Sequence, residues 1–574
     1  MSGLLRRYLR PHRLALLFVV FMLLVQALTN LYLPSLNADI INDGVVTGDI
    51  SAIIRIGVIM LGVSAVLVIA SVFTVYFAAK ISMQVGRELR RDVFRKVDTL
   101  SLNQMHELGV PSLITRNTND VQQVQMLVMT ALTMMLLGPI MGIGAVIMAV
   151  QENPSLSLLL VVIVPLMLVV IGAFVVKMIP LFRVMQTKID RVNQVLRENL
   201  TGIRVVRAFN RTSSEEARFA SANADLTGAA LKVTRLFALV FPLLMLIVNF
   251  SSVAVLWFGG HLVASGSMPI GNLTAFLQYI MLLLFSVMMA VMTMMMVPRA
   301  SASAERIAQV LDTVPAIVDT ATTESFTSPG LVEFEHVAFA YPGALDAILK
   351  DINLVMRPGT STAIIGGTGS GKSTLINLIP RLLDVTAGSL RVGGVDVRDV
   401  PSELLWSRFG FVPQKAFLFS GTIGSNVRFG KPDASDDEVW RALELAQAAE
   451  FVRELPEQLA SPVEQGGTNF SGGQRQRLSI ARALVREPEI LIFDDSFSAL
   501  DYATDARLRH AIAEHVRDAT VIIVAQRVST IRHVDQIVVM EYGEIVGVGT
   551  HEELVASCET YRQIIDSQAE ADAS

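Results

Sequence analysis

The run Gly366-Gly367-Thr368-Gly369-Ser370-Gly371-Lys372-Ser373 matches the phosphate-loop pattern G-x-x-x-x-G-K-[ST] at every fixed position. Glycines at these spacings let successive backbone N–H groups close around a phosphate, and the N-terminus of a following helix adds a positive field. Lys372 supplies the cation for the β- and γ-phosphates, and the Ser373 hydroxyl supplies a ligand for Mg²⁺. Thr374 continues the loop into the next element and is counted with the nucleotide-binding residues. Downstream, Ile490-Leu491-Ile492-Phe493-Asp494 is an apolar run ending in a carboxylate. Asp494 completes a hard oxygen site with Ser373, the donor type Mg²⁺ prefers. The phosphates of a nucleotide together with Mg²⁺ are thus the expected ligands.

These residues need particular elements to hold them. Thr362-Ala363-Ile364-Ile365 before the loop reads as a short buried strand, and Thr374 to Ile379 after it as a helix. From Leu331 onward strands and helices alternate, as in an α/β P-loop domain. Ser471-Gly472-Gly473-Gln474 precedes a helical run, and Ser471 alone could serve there as an N-cap.

The chain has 574 residues, of which 52% are hydrophobic and only 17% charged. Its mean hydropathy of +0.52 is too high for an ordinary soluble protein of this length. The net charge of −5 gives no sign of a nucleic-acid partner, and none is expected. With Cys558 alone, no intrachain disulfide can form. Arg6, Arg7, Arg10 and Arg13 precede an apolar run too long for a cleavable signal, so none is expected.

Six apolar runs of membrane-spanning length lie in the first half. They fall near Leu14 to Leu36, Ile56 to Phe77, Met126 to Val150, Ser155 to Met178, Phe237 to Leu262 and Leu273 to Val297. Arg and Lys concentrate after spans two and four, at Arg87, Arg90, Arg91, Arg95 and Lys96, and at Lys177, Arg183, Lys188, Arg191, Arg197, Arg204 and Arg207. The segments after spans one, three and five carry almost none. Positive charge stays inside, which predicts a multi-pass protein of the cell membrane with both termini and the soluble half in the cytoplasm. The two basic segments read as helical extensions of their spans, suited to act as docking arms. The expected domains are a membrane domain over 1–315, a Thr/Ser-rich linker over 316–330 and a nucleotide-binding domain over 331–574.

The run Asn469 to Leu484, with Ser471 to Gln474 inside it, resembles the signature helix of the ATP-binding cassette (ABC) superfamily. Six spans followed by one such cassette resemble an ABC exporter half-transporter over nearly the whole chain. The resemblance implies a fold of six transmembrane helices with long cytoplasmic extensions, followed by an α/β P-loop cassette. It implies that Tyr341 stacks on adenine, and that Gln414 touches Mg²⁺ and senses the membrane domain. Ser471, Gly472, Gly473 and Gln474 would grip the γ-phosphate of ATP held on the opposite subunit. Ser498-Ala499-Leu500-Asp501 would form the loop that crosses the dimer interface, and Glu198 to Arg207 the arm after span four.

Two positions depart from the family pattern. Asp495 stands where a glutamate usually acts as general base, and Gln526 where a histidine usually sits in the switch loop. Aspartate is shorter by one methylene, about 1.5 Å, and a 1 Å misplacement can cost about 10²-fold in rate. Glutamine accepts no proton at neutral pH, and losing acid–base help costs about 10²–10⁴-fold. His533 lies outside the loop and is not a substitute. Both departures fall in one ATP site, whereas the intact signature serves the other. The expected partner is therefore a second, non-identical half-transporter that keeps the glutamate and histidine. A lesser departure is Gln465-Gly466-Gly467, where the family often has Glu-Arg-Gly facing the membrane arms.

Span six carries Met288, Met289, Met292, Met294, Met295 and Met296, flexible residues suited to varied apolar ligands as well as to plain packing. With no charge deep in any span, the expected cargo is a small amphipathic, drug- or lipid-like molecule moved among membrane lipids. A lipid or siderophore transporter and a regulatory or ATP-gated subunit are the alternatives.

Overall fold

The computed structural model describes residues 2–294, 296–319 and 326–573. Met295 and the 320–325 part of the expected linker lie outside the described residues. The chain divides into two compact units.

The first unit, Met1–Asp98 with Pro111–Thr313, is helical. Among the described residues, six helices are long and apolar enough to cross a membrane. The first five cover Gly3–Val45, Ile50–Asp98, Val110–Glu152, Pro154–Thr201 and Thr212–Ala264, and the sixth begins with Ile270–Met294. The first five expected spans each lie inside one of them, and the sixth does so from Leu273 to Met294. The helices run well past the apolar runs into their basic ends because Glu, Arg, Leu and Ala continue there at helical spacing, and the span-four helix continues past Pro180.

Small residues let these helices approach closely, as membrane packing requires. A Cβ on Gly271 would sit 2.2 Å from the Ala38 carbonyl, so only glycine fits between spans one and six. Tyr279, fully buried, donates its hydroxyl to the Leu31 carbonyl at 3.0 Å, satisfying a polar group that lipid would leave bare. Of the methionines of span six, Met292 and Met294 are exposed on the single chain, while Met288, Met289 and Met296 are half-buried.

On the cytoplasmic extensions, Asp120 is fully buried. Its carboxylate accepts from Arg306 Nε at 2.7 Å and from Ser303 Oγ at 2.9 Å. The Arg306 side chain is 47% exposed. The two partners therefore differ in what happens when the other is removed. Arg306→Ala strands a buried carboxylate and should cost about 3 kcal/mol. Asp120→Ala leaves a guanidinium that reaches water and should cost less, an order that thermal unfolding of the two variants in detergent will check.

The second unit, Val314–Ser574, also takes in Thr99–Val110. Sequence order assigns that segment to the membrane half. It packs here because the Gln104 amide grips the chain after span six, donating to the Val314 carbonyl at 2.7 Å and accepting from the Ala316 N–H at 3.1 Å.

The rest of this unit is α/β. A four-stranded sheet joins β1 (Val332–Phe339), β2 (Leu349–Met356), β4 (Ala387–Val392) and β5 (Val395–Asp396) in the order β2-β1-β4-β5. A six-stranded sheet has the order β10-β9-β3-β8-β7-β6. Its strands are β3 (Ser361–Gly366), β6 (Phe409–Val412), β7 (Ile490–Asp494), β8 (Thr520–Val524), β9 (Gln536–Glu541) and β10 (Glu544–Gly549). All neighbours are parallel except β9 and β10.

Every residue of β7 and β8 is buried, because both faces of the sheet are covered. Leu491, Phe493 and Ile523 pack into the cluster on one face, and Ile490, Ile492 and Ile522 into the cluster on the other. Val524 of β8 sits level with Ile364 of β3 and with Asp494 of β7. The three strands thus end side by side, and the loops that follow them open onto one edge, where ligands bind in open parallel sheets.

Candidate functional site

At that edge the loop after β3 leads into α1 (Lys372–Leu378). Gly369 and Gly371 adopt φ of +84° and +97°, a left-handed backbone that favours glycine. A Cβ on Gly371 would meet Leu349 Cδ2 at 2.7 Å, while Cβ atoms on Gly367 and Gly369 would meet nothing within 4 Å. The loop is therefore tight against its own domain and open on the outward side, the shape a phosphate cradle needs. Lys372 Nζ donates to the carbonyls of Gly366 at 2.9 Å and Gly367 at 2.7 Å, which holds the ammonium over the loop. Burial pulls the Lys372 pKa below the usual lysine value, and the Asp495 and Asp494 charges oppose that pull.

Ser373 Oγ donates to Asp494 Oδ1 at 3.2 Å. This hydroxyl–carboxylate pair, with Gln414 beside it, is an all-oxygen set that fits a hard divalent cation such as Mg²⁺. Burial pushes the Asp494 carboxyl up and the Asp495 charge adds to this, while the Ser373 hydroxyl partly offsets it.

Asp495 follows with φ +46°, a strained conformation for a residue with a side chain. Its backbone is pinned on both sides. The N–H donates to the Val524 carbonyl at 3.0 Å, and the carbonyl accepts from Ser498 Oγ at 2.9 Å. Its carboxylate Oδ2 accepts from Gln526 Nε2 at 2.7 Å and from Gln414 Nε2 at 3.3 Å. Burial pushes the Asp495 carboxyl up, against the pull of the Gln414 hydrogen bond and the Lys372 charge.

One cavity of about 530 Å³ takes in Gly366, Gly367, Thr368, Gly369, Gly371, Lys372, Ser373 and Thr374 together with Tyr341, Gln414, Asp494, Asp495 and Gln526. That volume suits a nucleotide. Ser370 is buried beneath the loop rather than in the cavity wall. Tyr341 sits edge-on against Phe339, with ring centroids 5.0 Å apart, and its hydroxyl lies 3.4 Å from Thr374 Oγ1.

Ser471 to Gln474 do not line this cavity. Ser471 caps α2 (Gly472–Leu484) in a capping box: its Oγ accepts from the Gln474 N–H at 3.2 Å, and Gln474 Oε1 accepts from the Ser471 N–H at 3.0 Å. Gly472 has open space where a Cβ would stand. Asp501 is likewise away from the cavity and caps α3 (Tyr502–His515), accepting from the Thr504 N–H at 2.9 Å. That backbone bond holds its carboxyl below the usual range. Gly466 has a positive φ of +74°, which gives a backbone reason for glycine at the position where the family often has arginine.

The sequence reading missed the wall made by Ile564, Ser567 and Gln568 near the C-terminus. Their only local signal is an amphipathic helix, which says nothing of what it faces. His533 lines a different cavity.

The raised Asp494 carboxyl has a consequence for stability. Its folded-state pKa lies above that of an unfolded aspartate, so the ionised form costs stability at neutral pH. The cost fades as pH falls through the raised value and is gone below the ordinary carboxylate range. Asp494→Asn should therefore raise the Tm of the ligand-free protein near neutral pH, with the gain closing toward about pH 4. The same variant should lose the extra stabilisation by Mg-ATP. Differential scanning fluorimetry across pH checks both.

Residues 16–287 match the ABC transporter transmembrane region, and residues 349–498 match the ABC transporter family of ATP-binding domains. An uncharacterized ABC transporter ATP-binding protein of Mycobacterium tuberculosis is 46% identical over 573 residues, covering 99% of this chain and 98% of that protein. A fatty acid ABC transporter ATP-binding/permease protein of Mycobacterium bovis is 35% identical over 83% of this chain and 75% of its own length. Among solved structures, a bacterial Atm1-family ABC exporter with ATP bound superposes with a TM-score of 0.79 at 24% identity, covering 99% of both chains. Six membrane helices, a phosphate-loop cassette and end-to-end similarity together place the chain in the ABC transporter family, as a multi-pass half-transporter whose cassette is cytoplasmic.

Proposed function

We propose that the chain is one half of a heterodimeric exporter, binding ATP at a site slowed in hydrolysis and lending its signature to the partner's competent site. The observation that carries this reading is the hydrogen bond from Gln526 Nε2 to Asp495 Oδ2 at 2.7 Å. A general base must offer a lone pair to water and then pass its proton on. Here the shortened carboxylate already accepts two amide donors on the same oxygen, and neither amide can take a proton. The site can bind, orient and retain Mg-ATP through the phosphate loop, Ser373, Gln414 and Asp494, while the proton-handling step is weak.

Ser471 to Gln474 are intact and stand clear of this cavity, as a set that acts on an opposing ATP should. An opposing subunit with a full-length glutamate and a histidine would then supply the fast site. Closure of the two cassettes over ATP would switch the membrane domains between inward and outward access.

The cargo we infer is amphipathic or apolar. A relative whose name assigns it fatty acids supports this, as do the absence of charge deep in the spans and the exposed Met292 and Met294. Mg²⁺ held by Ser373 and Asp494 would neutralise phosphate charge and Lys372 would hold the phosphates, while Asp495, engaged by the Gln526 and Gln414 amides, would activate the attacking water only weakly.

The purified chain alone should hydrolyse ATP slowly. Asp495→Glu combined with Gln526→His should raise that turnover by about 10²-fold, because it restores both reach and proton acceptance. In the complex, Asp495→Ala should reduce turnover far less than removal of the corresponding partner glutamate. Fast turnover by the unmodified chain alone, or no gain in the double variant, would contradict the proposal.

A further inference from the structure

The switch loop that carries Gln526 has an anchor from the far end of the chain. The C-terminal helix α4 (Glu559–Ala573) presents Gln568 to it. Gln568 Nε2 donates to the Gln526 main-chain carbonyl at 2.7 Å, and Gln568 Oε1 accepts from the Val528 N–H at 2.9 Å. One side-chain amide thus pairs with a carbonyl and an N–H two residues apart, as a neighbouring strand would. The loop needs this, because β8 ends at Val524 and the next helical turn begins only at Val528. The Ala525 N–H is held by the Ile364 carbonyl at 3.1 Å. Beyond it, no main-chain hydrogen bond from the sheet reaches the loop among the described residues.

The helix itself is well fastened. Tyr561 is fully buried, with its hydroxyl 2.8 Å from His551 Nδ1. Thr560 Oγ1 donates to Glu541 at 2.8 Å, and Ile564 packs on the core. The Gln568 amide is therefore held by packed neighbours, a firm support for a loop that has little of its own.

We propose that Gln568 is a positioning residue of this ATP site: by pinning the switch-loop backbone from the C-terminal helix, it fixes the Gln526 amide on Asp495. The proposal rests on membership of the ABC family and stands whether the partner is a different chain or a second copy. It also makes the last turns of the chain a functional part of the nucleotide site, through a link 42 residues long in sequence.

The test uses the full-length transporter in nanodiscs with Mg-ATP as the ligand. Hydrogen–deuterium exchange should show the Val528 amide exchanging about tenfold faster in Gln568→Ala, the equilibrium cost of the lost hydrogen bonds. Gln568→Glu keeps the acceptor for Val528 and loses the donor to Gln526, so exchange at Val528 should stay close to the parent. Retention of ATP on this chain, read by chasing bound radiolabelled ATP with unlabelled ATP, should drop in both variants. In a Gln526→Ala background neither variant should change retention further, because Gln568 acts through the Gln526 amide. Unchanged Val528 exchange in Gln568→Ala, or fully additive losses of retention in the double variants, would overturn the proposal. Should Gln568→Ala fold poorly, the Gln568→Glu arm and its double variant decide alone.

Discussion

The hydrogen bond between the Gln526 amide and the Asp495 carboxylate depends on a single feature of the sheet, the adjacency of β7 and β8 with Val524 level with Asp494. Parallel strands in register deliver their following loops to the same edge. A shift of one residue would exchange the side chains of either strand between the two apolar clusters and separate the Asp495 and Gln526 side chains. The apolar clusters on both faces of the sheet therefore do more than stabilise the cassette: they set a distance at the active edge. The strained backbone of Asp495, held by Val524 and Ser498, is tolerated because that register over-determines it.

The same constraint clarifies why the two unusual residues belong together. With glutamate and histidine, the pair would handle a proton between a long carboxylate and an imidazole. With aspartate and glutamine the two side chains still meet, at 2.7 Å, through an amide that takes no proton. What remains is a structural hydrogen bond that keeps the carboxylate and the switch loop in contact. On the proposed reading such a site retains nucleotide, and Ser471 to Gln474, presented away from it, would be this subunit's contribution to turnover elsewhere.

Much of this was legible in the sequence. The six membrane helices followed from apolar runs of spanning length, and the phosphate loop and Asp494 from spacing between a strand and a helix. Other features were not, because they rest on contacts between distant residues. Gln568 reaches the switch loop across 42 positions, and Gln104 grips residues after Thr313 across more than two hundred. No local periodicity marks either glutamine. Nothing local marks Asp120 and Arg306, 186 residues apart, as a pair, yet one is fully buried and the other half-exposed. Ser471 carries two meanings at once, a helix cap within this chain and a phosphate ligand in the family pattern, and the hydrogen bonds of the cap do not exclude the second.

The central claim is that this chain's phosphate loop holds ATP longer than it hydrolyses it. The direct measurement is photolabelling of the complex, purified from its own membrane, with azido-ATP carrying its radiolabel at either the α- or the γ-phosphate. During turnover this chain should keep both labels equally, while its partner loses the γ-label. Loss of the γ-label from this chain at the partner's rate would contradict the account.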